Sequence, residues 1–154
     1  MRRASVCAVL VRDVMTKDLL AVAPDTGLSS CAELFAKHEI SGAPVVRPDG
    51  SVCGVISVSE ISQRHEDTRA RAGYSVFYRL VDGVPVEQGS DTEDSAGRVE
   101  DVMSTELLSI NADADLKEAG AKMLEHHVHR ILVVEDGKCV GIVSTLDLIR
   151  AHQN

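Results

Sequence analysis

The sequence predicts a mixed α/β (α+β) fold in which two similar halves share one core. A short motif occurs twice, as VRDVMT at Val11–Thr16 and as VEDVMS at Val99–Ser104. Each copy is followed by the same predicted order of strand, amphipathic helix, two β-branched strands and closing helix. Because each half has roughly 50 residues, too few for a stable separate core, we expect one compact pseudo-twofold module.

The second half shows the pattern most clearly. Apolar residues recur every three or four positions and predict a helix with one buried face; they are Leu116, Ala119, Met123, Leu124 and Val128. The β-branched runs Ile131–Val134 and Cys139–Val143 flank an Asp-Gly pair, which is typical of a hairpin. The hydroxyls of Ser144 and Thr145 can then cap a final helix.

The first half repeats this order. A strand is predicted at Leu19–Val22, and a helix with its apolar face marked by residues from Leu28 to Ile40 follows. Two further strands are predicted at Ala43–Val46 and Val52–Ile56, and a closing helix begins at Val58. We therefore place the first repeat, with an N-terminal arm, at 1–62 and the second repeat at 99–154.

Residues 63–98 interrupt the repeat, and we expect an inserted helix and an acidic linker there. The charged residues 64–71 are predicted to extend the preceding helix into solvent, and Tyr74, Phe77 and Tyr78 follow at helical spacing as a packing patch. A competing interpretation is a hairpin of 76–81 and 84–86 around Asp82-Gly83. The polar, acidic stretch 87–97 is predicted to be a mobile linker.

Composition excludes several classes of function. The formal charge of −8 and the 3% aromatic content argue against a nucleic-acid partner. No apolar run is long enough to cross a bilayer, and the N-terminal run is too short for a signal peptide, so we expect a cytoplasmic protein without a membrane partner. The scattered cysteines, expected to be reduced structural thiols, are Cys7, Cys31, Cys53 and Cys139.

The doubled motif and the segment GIVSTLD at Gly141–Asp147 resemble a pair of cystathionine-β-synthase (CBS) domains. The most specific part of the resemblance is Gly-h-h-Ser/Thr-x-x-Asp, where h is apolar. The resemblance implies a regulatory module without a required cofactor, whose cleft between two repeats binds AMP, ADP, ATP or S-adenosylmethionine. It also implies a homodimer, and the target of regulation is expected to be a separate, unknown partner protein or a second copy of the chain.

The residues around Asp147 support such a ligand on chemical grounds. A carboxylate at a helix start can accept hydrogen bonds from both ribose hydroxyls, while the hydroxyls of Ser144 and Thr145 and the free amides suit phosphate oxygens. Simple helix capping explains the same residues equally well.

The resemblance adds further site residues. His129 and Arg130 are similar to a His-Arg pair that contacts phosphate in nucleotide-sensing members, and the backbone near Val128 and Ile40 would face the adenine. The first repeat departs from this pattern, with Ser41-Gly42 in place of His129-Arg130 and Glu60 in place of Asp147. By resemblance, Arg130 can reach across the twofold axis to the site of Ser57 and Glu60. That arrangement would leave Asp147 with the poorer phosphate partner, and one occupied site is expected.

Catalytic and metal-binding functions have little support in the sequence. No nucleotide-binding glycine loop, nucleophile elbow or acid/base pair is evident, so we expect no enzyme activity. Three neighbouring histidines, His126, His127 and His129, suggest a metal site, because His126 and His129 would be close on a helix. No third ligand lies at suitable spacing from those two, and we expect no metal. The alternative to a ligand-binding module is a ligand-free oligomerisation or interaction module.

Overall fold

The computed structural model describes residues 8–62, 71–95 and 97–153. The elements of the first repeat are α1 (Val11–Val14), β1 (Leu19–Val22), α2 (Leu28–His38), β2 (Gly42–Val46), β3 (Val52–Ser57) and α3 (Val58–Ser62). The insertion forms β4 (Arg71–Val81) and β5 (Val84–Ser95). The elements of the second repeat are α4 (Val99–Val102), β6 (Ser109–Ile110), α5 (Leu116–His126), β7 (Arg130–Glu135), β8 (Lys138–Ser144) and α6 (Thr145–Gln153).

The strands form two sheets, one for each repeat. The first sheet has the order β3-β2-β1-β4-β5, and the second has the order β6-β7-β8. In both repeats the first strand runs parallel to the second strand, which forms an antiparallel hairpin with the third. The predicted mixed fold with two strand-helix-strand-strand-helix repeats is therefore confirmed.

Each repeat completes the core of the other. Val11 of α1 is fully buried in the cluster formed by α5, β7 and β8, while Val99 of α4 is fully buried in the cluster formed by α2, β2 and β3. The amide of Val11 donates to the carbonyl of Ala114 at 2.9 Å, and the amide of Val99 donates to the carbonyl of Thr26 at 2.8 Å. Each repeat thus supplies a buried valine to the core of the other, and this symmetric exchange interlocks the two halves.

The residue that ends each repeated motif continues this exchange. Thr16 and Ile142 exchange two backbone hydrogen bonds of 2.9 and 3.0 Å, and Ser104 and Val55 exchange two of 2.9 Å. Each motif therefore adds a bridge to the last strand of the opposite repeat. The doubled motif has a structural role that explains its repetition without any ligand.

A third cluster of buried side chains joins the two sheets. It contains Tyr78 and Leu80 from the insertion together with Leu132 and Cys139 from the second repeat. These four side chains are at most 8% exposed. The insertion is therefore part of the shared core of the module.

The insertion differs from the expected helix and linker. Residues 71–81 and 84–95 form a hairpin whose turn, Asp82-Gly83, has φ angles of 51° and 82°. Tyr78 and Leu80 are buried while Arg79 and Val81 are exposed, and this alternation shows that the helical spacing of the aromatic residues was misleading. The hairpin alternative is confirmed. The acidic stretch 87–95 is a strand, because its backbone pairs with β4 whatever side chains it carries.

Two parts of the sequence prediction lie outside the described residues. They are the N-terminal arm at 1–7 and the charged stretch at 63–70, for which a helical extension was expected. Across 8–62, 71–95 and 97–153, no helix combines the length and the apolar character needed to span a membrane.

Candidate functional site

A cleft of about 450 Å³ lies between the two repeats. The first repeat contributes seven side chains near β1 and β2 and the backbone of one glycine, β4 contributes one arginine, and the second repeat contributes the remaining side chains of the cleft. Its lining residues are Thr16, Asp18, Leu19, Leu20, His38, Ile40, Gly42, Pro44, Arg79, Arg130, Ile142, Ser144, Leu146, Asp147 and Arg150. The volume is within the range of about 300 to 1,000 Å³ that is usual for small-molecule sites.

Asp147 lies at the start of α6 and faces this cleft. Its Oδ2 atom accepts hydrogen bonds from the Ser144 amide at 2.8 Å and the Ser144 hydroxyl at 3.0 Å. The amide of Asp147 donates to Ser144 Oγ at 3.3 Å, which completes a reciprocal cap. Capping is therefore present, and both side chains also line the cleft, so the capping and ligand-binding roles are compatible.

Arg130 begins β7 and lies beside this cap. It pairs with Ser144 in the β7–β8 ladder, which places its exposed side chain near Asp147. The Nη1 atom of Arg130 donates to Ser41 Oγ in the first repeat at 2.7 Å. The cleft thus has a guanidinium group that contacts both repeats.

Two further arginines line the cleft and were not singled out from the sequence. Arg150 follows Asp147 by three residues on α6, a spacing that brings side chains to one helix face and could have identified it. Arg79 comes from β4, where it lies opposite Leu20 of β1, and its Nη1 forms an ion pair with Asp18 Oδ1 at 3.3 Å. The Asp147 side is therefore rich in cationic groups, contrary to the expectation of a poorer phosphate partner.

His129 and Arg130, which were predicted to bind phosphate as a pair, line different cavities. His129, Val128 and Thr145 line a separate cavity of about 580 Å³ beside α5 and α6, together with Met123. Thr145 donates from its amide to the His129 carbonyl at 2.9 Å. His129 precedes β7 and lines this cavity, whereas Arg130, the first residue of β7, lines the cleft. Only Ile40 of the two expected adenine neighbours lines the cleft.

Ser57 and Glu60 form the matching cap at the start of α3. The Ser57 amide donates to Glu60 Oε2 at 2.6 Å, and the Ser57 hydroxyl donates to the same atom at 3.2 Å. Neither residue is part of the lining of the Asp147 cleft. Arg130 thus lies in the Asp147 cleft and not at the site of Ser57 and Glu60. Its side chain does reach across the twofold axis, where it contacts Ser41.

Other reactive groups lie away from the cleft. Burial raises the pKa of Cys31 to about 12 and that of Cys139 to about 11, so both are neutral thiols near pH 7. Cys53 is half-buried, and burial also raises its pKa. Among the described residues, no three His, Cys, Asp or Glu side chains come together as potential metal ligands.

Comparison with known proteins gives two matches to one family model. The model of the CBS domain matches residues 11–67 and 99–154. A protein of Methanocaldococcus jannaschii, MJ1426, is 31% identical over 153 residues that include 93% of this chain and 90% of the relative.

Solved structures of similar overall fold include two that contain ligands. The CBS domain pair of protein MJ0100, in complex with 5′-methylthioadenosine and S-adenosyl-L-methionine, has a TM-score of 0.69 at 20% identity, with coverage of 96% of this chain and 98% of the other. The CBSX2 structure in complex with AMP has a TM-score of 0.68 at 22% identity, with coverage of 94% and 96%. Both share with this chain an architecture of paired repeats.

Proposed function

The chain belongs to the CBS domain family, as a pair of CBS domains, and we propose that it is a regulatory module that binds an adenosine-containing ligand between its repeats. The candidates are AMP, ADP, ATP and S-adenosylmethionine. Bound ligand would change how the module acts on a separate protein, and the chain itself would catalyse no reaction. The structures of MJ0100 and CBSX2, which hold ligands of this class, support the proposal.

The observation that carries the proposal is the meeting of Asp147 with three arginines in one cleft. Asp147 accepts both cap hydrogen bonds through Oδ2, and a ribose hydroxyl could donate to Oδ1 without breaking the cap. Arg79, Arg130 and Arg150 supply the planar, charged donors that bind phosphate groups well. A carboxylate for the sugar and guanidinium groups for the phosphates are the donors and acceptors that a nucleotide requires.

The apolar part of the cleft suits an adenine ring. Ile40, Pro44, Leu20 and Ile142 come from strands or strand ends of both repeats and offer flat aliphatic surface. A ligand seated there would contact the first repeat through Ile40 and the second through Asp147. Binding would therefore favour one relative arrangement of the repeats, and this population shift would be the regulatory signal.

A thermal-shift panel tests the proposal directly. AMP, ADP, ATP and S-adenosylmethionine are each added to the wild type, to Asp147→Ala and to Glu60→Ala. A ligand that binds only the folded state raises the unfolding midpoint, and the stabilisation grows with the logarithm of the ligand concentration once that concentration exceeds the dissociation constant. Both variants lose an equivalent cap, worth about 1 kcal/mol, but only Asp147→Ala should lose the ligand-dependent shift. A flat panel for the folded wild type would contradict the proposal.

Exposed apolar side chains favour self-association as a second property. Leu124 of α5 is 79% exposed, and Leu146 and Ile149 of α6 are 61% and 50% exposed. Burial of such side chains against a second copy would stabilise a homodimer. Light scattering at micromolar concentration should give the dimer mass. A dimer with a flat ligand panel would favour the alternative of a ligand-free interaction module.

A further inference from the structure

The inserted hairpin creates a second cavity that meets the cleft. This hairpin cavity, of about 400 Å³, lies between α2 and the strands β4 and β5. Its lining residues are Leu20, Ser30, Glu33, Leu34, Lys37, His38, Phe77, Arg79 and Gln88. Leu20, His38 and Arg79 also line the cleft, so these three side chains form the boundary between the two spaces.

The position of this boundary follows from strand register. Leu20 of β1 lies directly opposite Arg79 of β4, and Val22 lies opposite Phe77. Alternation along β4 sends Phe77 and Arg79 to the face of the sheet that α2 covers, whereas Tyr78 and Leu80 enter the core between the sheets. Arg79 is therefore the residue of the hairpin that lines both the hairpin cavity and the cleft.

The chemistry of the hairpin cavity differs from that of the cleft. Leu20, Leu34 and Phe77 provide an apolar floor that includes an aromatic ring. Glu33, Lys37 and Gln88 are exposed side chains around it and offer both hydrogen-bond donors and acceptors. Such a lining suits a flat organic group with polar substituents, since the ring can stack and the rim can pair with the substituents.

We propose that the ligand of this protein is an adenosine whose phosphate bridge carries a second organic group, and that this group occupies the hairpin cavity. The proposal rests on the proposed function and narrows it. The adenosine lies in the cleft at Asp147, the bridging phosphates lie at Arg79 and His38, and the second group lies over Phe77. A ligand of this shape fills two adjoining spaces, whereas AMP or S-adenosylmethionine fills one.

Arg79 connects ligand binding to the hairpin. The side chain of Arg79 is 45% exposed and that of its ion-pair partner Asp18 is 72% exposed, so water weakens the pair and a phosphate group can compete for the arginine. Bridging phosphates bound by Arg79 would be attached directly to β4. Within the described residues the sheet of the second repeat consists of β6, β7 and β8, so this contact lies on the side of the first repeat.

Calorimetric titration of the full chain with ADP and with NAD tests the inference. NAD contains the ADP portion and adds a ribosyl-nicotinamide group, so it probes the second cavity alone. We expect NAD to bind at least about tenfold more tightly than ADP. Gln88→Trp fills the hairpin cavity and should remove that advantage while ADP affinity stays within about twofold. Glu87→Trp, at the neighbouring exposed position outside both linings, should keep the advantage.

The outcomes separate this inference from the function on which it rests. Equal affinities of ADP and NAD for the wild type, or an NAD advantage that survives in Gln88→Trp, would overturn the inference and leave the proposed function intact. Lys37→Trp fills the same cavity from α2 and replaces Gln88→Trp if circular dichroism shows that variant to be unfolded. No binding of either compound to the folded wild type would overturn the inference, and the proposed function would fall with it only if the thermal-shift panel were flat for all four of its ligands as well.

Discussion

Arg130 in the second repeat donates a hydrogen bond of 2.7 Å from Nη1 to Ser41 Oγ in the first repeat. In the doubled pattern Ser41 occupies the position of His129, so the bond joins non-equivalent residues across the pseudo-twofold axis. It holds the guanidinium group at the edge of the Asp147 cleft, beside the Ser144 cap. The asymmetry of the two repeats, with an arginine on one side and a glycine on the other, thereby places one cation where both repeats meet.

Removal of this arginine should weaken phosphate binding with little effect on folding. Arg130→Ala should reduce affinity for ADP about tenfold to a hundredfold, because hydrogen bonds to charged groups contribute about 1.5 to 3 kcal/mol. The free energy of unfolding should change by less than about 0.5 kcal/mol, as is usual for exposed positions. Calorimetric titration and urea unfolding measure the two quantities.

Arg47→Ala is the matched control, because Arg47 is exposed and outside the cleft. It should leave ADP affinity unchanged. Equal losses in the two variants would mean that general electrostatic attraction, rather than a contact at Arg130, accounts for binding.

Substitution of Gly54 or Gly141, which lie against the methionines of the doubled motif, should strongly destabilise the module. A Cβ at Gly141 would lie 2.7 Å from Met15 Sδ, and one at Gly54 would lie 2.5 Å from Met103 Sδ. Backbone oxygens of Thr16 and Ser104 lie 3.0 and 2.9 Å from the same positions, so relaxation of the methionine alone cannot remove the clash. Each Gly→Ala change should lower the free energy of unfolding by about 1 to 3 kcal/mol in urea titrations.

Gly120→Ala is the matched control, because its effect on the free energy of unfolding should have the opposite sign. Gly120 is inside α5, and an added Cβ would meet only Leu148 Cδ1 at 3.7 Å. Alanine should stabilise the protein by up to about 1 kcal/mol, since it has the higher helix propensity. Wild-type stability for Gly141→Ala would refute the close approach of the two repeats at this point.

The buried thiols should be protected from alkylation and should make stability depend on alkaline pH. At pH 8, iodoacetamide should leave Cys31 and Cys139 unmodified in the native protein and should modify them in urea, as peptide mass spectrometry can measure. Their pKa values are raised in the folded state to about 12 and about 11 from 9.0. The contribution of the two thiols to the free energy of unfolding is therefore fully present below about pH 9 and is lost as the pH rises toward those values.

Cys31→Ala separates this effect from the titration of other groups. Its stability should fall less steeply above pH 9 than that of the wild type, although the smaller side chain lowers stability at every pH. Parallel pH profiles for the two proteins would contradict the assignment to Cys31.

The N-cap of α5 should make a measurable contribution to stability. Asp115 Oδ1 accepts a hydrogen bond of 2.8 Å from the Lys117 amide. Asp115→Ala should cost about 1 kcal/mol in urea unfolding, and Asp115→Asn should cost less, because asparagine is also a good N-cap. An asparagine variant that costs as much as the alanine variant would show that the charge, which both variants lose, is responsible for the contribution of Asp115 rather than the cap, which asparagine keeps.

Sequence periodicity predicted the parts of the fold that depend on local pattern. The helices α2 and α5 and the two hairpins of the repeats were predicted from apolar spacing and from the Asp-Gly turns. The insertion was mistaken for a helix, because three aromatic residues at helical spacing masked the alternation of Phe77 to Val81. The pairing of β4 with β1 is a long-range contact that local pattern does not encode.

The same division holds for the candidate site. Asp147 and Ser144 were identified from the chemistry of a helix start together with a resemblance, Arg130 and Ile40 were identified from the resemblance, and all four line one cleft. Arg79 was missed, because it reaches the cleft only through the β1–β4 register. His129 was grouped with its neighbour in sequence, whereas the two residues line different cavities.

The exchange of Val11 and Val99 between the two cores makes each repeat an incomplete folding unit. A polypeptide cut at the Asp82-Gly83 turn would yield two pieces, each with the other's missing core residue. Neither piece could bury its apolar surface alone, but together they could rebuild the whole module, in the manner of fragment complementation. The covalent connection at this turn is therefore dispensable for register, because the interlocked motifs hold the two halves together, while Tyr78 and Leu80 remain part of the shared core.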